Sequence, residues 1–261
     1  MTKSQIITIA GFSALFLILL FGFRTKPKEL LEQERTRSLN LSATDISIIR
    51  DEAMQAVDGS TRSNIQILQS QLENNQDSIA EIEILKNLSS TWYNQDQYAM
   101  AGHYAEQIGQ VTESAQAWGI AGTTYAIGIK RSTEDKQKLY CKEKALESLE
   151  NAISLDPDNL DYQINRAVIF AEHPDSENPM RGIQILLKLN KNFPKNVPVI
   201  NNLAKFALQT NQLDKASERL QSALALEPNN KTTVCLMAEA MSRQGQMAQA
   251  EEFRIKCEQL K

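Results

Sequence analysis

The side chains best able to do chemistry are scarce in this chain. Its 261 residues include two histidines, His103 and His173, and three cysteines, Cys141, Cys235 and Cys257. A metal centre or a base–nucleophile pair needs such groups to converge at set spacings. No metal-binding motif surrounds either histidine, and each reads as a surface or half-buried structural residue. The sequence holds no H-E-x-x-H, no G-x-S-x-G, no Walker phosphate loop and no G-x-G-x-x-G. Three cysteines are too few, and odd in number, for a disulfide framework. They read as free thiols, buried or idle, which fits a reducing compartment. No catalytic residue, metal or cofactor is assigned, and the chain is expected not to be an enzyme.

Composition agrees with a binding or structural role. Charged residues make up 23% and hydrophobic ones 42%, with only ten Gly and seven Pro, so long helices are favoured over a loop-rich β fold. The net charge of −4 offers no basic face for nucleic acid.

The amino end reads as an anchor. After a short tail at residues 1–5, residues 6–23 (IITIAGFSALFLILLFGF) carry no charge. As a helix they would reach roughly 27 Å, near the thickness of a bilayer core. A cleaved signal peptide is the competing reading. The run exceeds the usual apolar region of one, and Phe21-Gly22-Phe23-Arg24 lacks a small-x-small cleavage site. Residues 24–41 form a charged juxtamembrane linker in which Arg24, Lys26, Lys28, Arg35 and Arg37 outnumber the single Lys3 upstream. That bias places the following domain in the cytoplasm. The periplasmic side is the alternative.

The elements downstream are helical. Between 42 and 81, Ile46, Ile49, Ala53 and Val57 share one face, and Ile65, Leu68 and Leu72 share another across Asp58-Gly59-Ser60. This predicts an atypical helical hairpin that caps the units after residue 81. The stretch 197–230 is the clearest unit. Ile200, Leu203, Ala204 and Ala207 line one helix face, Thr210-Asn211-Gln212 breaks the pattern, and Ala216, Leu220 and Ala223 line a second face before Pro228. A hairpin of that size cannot bury its apolar side alone and needs neighbours of its own kind.

The unit recurs. Trp118, Ala121, Gly122 and Tyr125 read W-x-x-A-G-x-x-Y, and Ala145, Leu149, Ala152 and Pro157 follow at helical steps. This pattern resembles the tetratricopeptide repeat (TPR). In that register five units run 82–114, 115–159, 160–196, 197–230 and 231–261. Small crossing residues fall at Ser89, Gly122, Ala167, Ala204 and Ala238, then at Ala101, Ala145, Gly182, Ala216 and Ala250. Two units carry insertions, near 130–140 and at 173–179, which could be lengthened helices or protruding loops.

The resemblance implies an all-α, right-handed solenoid whose concave side is lined by the first helix of each unit. Projected onto this sequence, the groove residues for a peptide or protein are Lys86, Ser90, Tyr93, Gln116, Thr123, Ile164, Val168, Asn201, Lys205 and Glu239, with Gly119 and Cys235 beside them. The implied function is a membrane-anchored scaffold or adaptor in a bacterial inner-membrane assembly, for envelope biogenesis or secretion. Its partners would be other proteins of a membrane complex, with the membrane itself held through residues 6–23. A chaperone-like holder of unfolded or secreted clients on the periplasmic side is the alternative.

Overall fold

The computed structural model describes residues 45–260. Residues 1–44, which include the expected tail, span and linker, lie outside the described residues. Among the described residues there are twelve α-helices and no strand: α1 (Ile46–Ala56), α2 (Gly59–Glu73), α3 (Ser78–Asn94), α4 (Tyr98–Thr112), α5 (Ala115–Arg131), α6 (Asp135–Leu155), α7 (Leu160–Glu172), α8 (Arg181–Asn192), α9 (Val197–Gln209), α10 (Leu213–Leu226), α11 (Lys231–Arg243) and α12 (Met247–Gln259). None of these is long and apolar enough to cross a membrane.

From α3 onward the helices pair in sequence, and each pair packs on the next. Two kinds of turn make this possible. Within three pairs the chain turns through a left-handed residue: Asp96 (φ 58°), Asn211 (φ 57°) and Gly245 (φ 79°). In each, a backbone N–H reaches back five residues, Gln97 to Trp92, Gln212 to Ala207 and Gln246 to Met241, closing the helix end. Asp, Asn and Gly are the residues that tolerate this conformation. The other two pairs lack it, and they are the ones with insertions. The 130–140 insertion lengthens α5 and α6 to 17 and 21 residues around a short break at 132–134. The 173–179 insertion is the loop between α7 and α8, and it meets α6 where Lys142 Nζ bonds Asp175 Oδ1 at 2.6 Å.

Between pairs, Pro157, Pro194 and Pro228 are each followed two residues later by an asparagine. Asn159, Asn196 and Asn230 are the N-caps of α7, α9 and α11, their side chains accepting from Asp161, Val199 and Thr233 N–H groups. The proline stops one helix and the asparagine starts the next.

Small residues let the paired helices close. A Cβ on Gly182 would come within 2.3 Å of the Ala171 backbone nitrogen and 2.4 Å of the Ala167 carbonyl oxygen, so α7 and α8 touch backbone to backbone there. At Gly122 the tight neighbour is the Leu149 side chain. Ala101, Ala145, Ala167, Ala204 and Ala216 are fully buried, while Ser89 and Ala238 are half-buried. Trp92 lies in the core with no exposure. Trp118, the tryptophan of the W-x-x-A-G-x-x-Y pattern, is only half-buried and lies against Gly109.

The leading pair differs from the rest. Asp58 belongs to the start of α2 rather than the end of α1, its carboxylate accepting from Ser60 and Thr61. Hydrogen bonds from the Ser60 and Thr61 hydroxyls and backbone hold that carboxyl well below the usual range. Helix α1 rests on α4 and α2 on α3, so both cover the core end where Ile49, Ala53 and Ile65 are buried.

The sequence reading of three free thiols is corrected. Cys235 and Cys257 form a disulfide joining α11 to α12, with Cα atoms 5.1 Å apart. Antiparallel packing brings together two cysteines 22 residues apart. Cys141 alone is free; it is buried, and burial pushes its thiol up to about 12.

Candidate protein-docking groove

The first helices of successive pairs lie side by side, α5 on α7, α7 on α9 and α9 on α11. Between α3 and α5 their surface is open. A cavity of about 660 Å³ lies there, with α4 as its floor. Helix α3 contributes Ile82, Lys86, Ser89, Ser90, Tyr93 and Asn94, α4 contributes Ala105, Ile108 and Thr112, and Ser114, Gln116, Ala117, Ile120 and Thr124 come from the start of α5. The spacing explains the convergence: Ile82, Lys86, Ser89 and Tyr93 recur at three- and four-residue steps along one face of α3. Around it the large apolar side chains stay in water, with Ile120 53% exposed, Tyr93 43% and Ile79, one turn before Ile82, 76%. Among the described residues Lys86 is the one charged residue in the lining, and its Nζ holds Glu83 at 2.7 Å. Both members of that pair are more than half exposed, so the bond is weak and easily exchanged.

Of the residues projected as groove-lining, Lys86, Ser90, Tyr93 and Gln116 come together here. The others do not join them. Thr123 is half-buried and its hydroxyl donates to the Gly119 carbonyl; its neighbour Thr124 reaches the cavity instead. Ile164 is buried in the core with Ala167 and Leu186, and Val168 packs half-buried beside it. Asn201 is buried at 5% exposure, its amide oxygen accepting from the Thr233 hydroxyl at 3.0 Å. Gly119 is covered by the Tyr162 ring, and Cys235 is in the disulfide. Ile164 and Asn201, projected as contact residues, are corrected to buried packing residues, while the half-buried Thr123 and Val168 lie outside the cavity. Lys205 is half-buried and tied to Glu172 at 2.6 Å, and Glu239 pairs with Arg243 one helical turn on.

Lys205 belongs to a chain of charges along the inner wall. Glu172 of α7 accepts from Lys205 of α9 and also meets Lys130 of α5 at 3.1 Å, so one carboxylate links three first helices. Burial works against its ionisation, but hydrogen bonds from the two lysines outweigh that and leave its carboxyl below the usual range. A second buried set joins α4, α5 and α6. The Tyr125 hydroxyl donates to Glu106 Oε2 at 2.8 Å, and Lys144 Nζ donates to Glu106 Oε1 at 3.1 Å. Burial raises the Tyr125 hydroxyl far out of reach. His103 sits nearby, bonded to Gln107 at 2.8 Å, and burial lowers its imidazole. These groups satisfy one another across helix joints. Sequence reasoning missed both sets because the partners lie 19 to 42 residues apart.

Paired helices stacked in series, closed by small residues at the crossings, are a tetratricopeptide-like arrangement. No family model matches the chain, and no curated protein does. Solved structures are similar to it at low identity. A crystal structure of MamA shares 13% identity over 67% of this chain and 89% of that one, with a TM-score of 0.43. MamA from Desulfovibrio magneticus RS-1 shares 14% over 71% and 96%, with a TM-score of 0.45. TTC0263, a thermophilic TPR protein of Thermus thermophilus, shares 18% over 70% and 91%, with a TM-score of 0.49.

Proposed function

We propose that this chain is a protein-docking scaffold that holds an apolar, acid-bearing segment of a partner protein in the groove between α3 and α5. The observation that carries this is the cavity of about 660 Å³ lined by water-exposed Tyr93 and Ile120, with one cation and no carboxylate among the described residues of its lining. A cavity of that size takes a few large side chains, and exposed apolar surface around a concavity marks a recognition site. Lys86 would exchange Glu83 for a carboxylate on the partner. Nothing in this role asks for catalysis, and the buried ionisable groups are already engaged in joining helices.

The finer reading is that residues 6–23 tether the scaffold to a bacterial inner membrane, beside an assembly for envelope biogenesis or secretion. The Cys235–Cys257 disulfide favours the periplasmic, oxidising side of the two weighed from the sequence, against the positive-inside bias, because disulfides rarely persist in the cytosol. The holder of secreted clients needs that same side, so the disulfide keeps it as the second reading.

Selection of displayed peptides on the purified domain tests the docking claim. The expected winners share two or more large apolar residues and a nearby Asp or Glu, and lose at least tenfold in affinity to Lys86→Glu and to Ile120→Glu. Winners indifferent to both substitutions would refute the groove. A set bound weakly with no common pattern would favour the holder.

A further inference from the structure

We propose that the Cys235–Cys257 disulfide is a redox latch on the last helix. Closed, it holds α12 against α11; opened by thiol–disulfide exchange, it lets α12 leave and bares the apolar edge beneath. The packing of α12 is the ground for this. Ala250 is its one buried residue, whereas its counterpart α10 buries Ala216, Ser217, Leu220 and Ala223. Met247 is 64% exposed and Ile255 44%, and Phe253, which packs against the cluster that contains Met237, Ala240 and Met241, is only partly buried. The charges of α12 are turned inward on the helix itself, with Arg254 held by Glu251 and Glu258. Lys256 reaches across to the Pro228 carbonyl at 2.8 Å, but that bond is exposed. The disulfide is therefore the strongest tie that α12 has.

Both half-cystines are half-buried rather than enclosed, so a dithiol can reach the bond. One thiolate of the dithiol attacks a sulfur, the S–S bond breaks, and the leaving sulfur takes up a proton. The second thiol of the reagent then displaces the other cysteine, which leaves as a thiol, and the reagent becomes its own disulfide. Two electrons pass from the dithiol to the protein. Cys141 does not divert the exchange, because it is buried and its thiol is pushed up to about 12.

Hydrogen exchange on the full chain in detergent, before and after dithiothreitol, tests the latch. The expected result is exchange at least tenfold faster in α12, with α3 to α8 unchanged, and the same change without reductant in the double variant Cys235→Ser/Cys257→Ser. Should that variant fail to fold, the reduction of the wild-type chain decides alone. Equal protection of α12 in both redox states would overturn the proposal. So would a uniform acceleration across all helices, or a non-reducing peptide map of the oxidised chain without a linked Cys235–Cys257 peptide.

Discussion

Gly182 and Glu172 show how single residues set the joints of this molecule. At Gly182 the neighbours are backbone atoms, which cannot rotate away as a side chain could. Gly182→Ala should therefore cost about 2 kcal/mol or more and lower Tm by roughly 4–8 °C, read by thermal denaturation. Gly59→Ala, with nothing within 4 Å of the added carbon, should leave Tm unchanged or slightly raised. Glu172 gives a pH signature. Its folded carboxyl is held below the ordinary value, so its share of stability is fully present above the unfolded pKa, near 4.3. That share is lost as pH falls from there through the lower folded value. The stability gap between wild type and Glu172→Gln should be constant from pH 7 to 5 and close below about pH 4, as measured by denaturant titration. A gap that persisted at pH 3 would mean that Glu172 acts through packing rather than charge.

At the scale of the helix, much of the fold could be read in advance. Periodicity picks out the buried faces of α9 and α10, and Pro157, Pro194 and Pro228 mark where second helices end. The Pro-x-Asn spacing also carries the next N-cap, a signal that was there to be used. Asn230→Ala should cost more than Asn159→Ala, for which about 1 kcal/mol is expected. Asn230 accepts from Thr233 N–H at 3.0 Å and also meets the buried Asn201, whereas Asn159 caps an exposed turn. Chemical denaturation of the two variants gives the order directly. The insertions could not be decided from sequence, because a charged stretch such as KRSTEDKQKLY suits a helix and a loop alike. The spacing on α3 puts Lys86, Ser90 and Tyr93 on one face, and among the described residues that face lines the cavity. The projection failed at Ile164 and Asn201. Spacing says which residues share a helix face, but not how far the next pair closes over it.

Among the described helices the outer pairs differ. Helices α1 and α2 cover apolar core, while α12 buries only Ala250 and is tied to α11 by the disulfide. Closing a loop of 22 residues contributes about 3 kcal/mol by loss of freedom in the unfolded chain. The pairing was invisible in the sequence, since an odd number of cysteines on separate helices gives no spacing to read. Between these pairs, the open face at α3 and α5 is where a partner would be held. A photoreactive amino acid placed at Tyr93 or Ile120 of the full chain in living cells, with Leu187 on α8 as the outside control, tests that most directly. The account predicts one discrete protein adduct, the same from both groove positions, abolished by Lys86→Glu and absent from position 187. Adducts of equal yield from all three positions, or none from the groove, would contradict it.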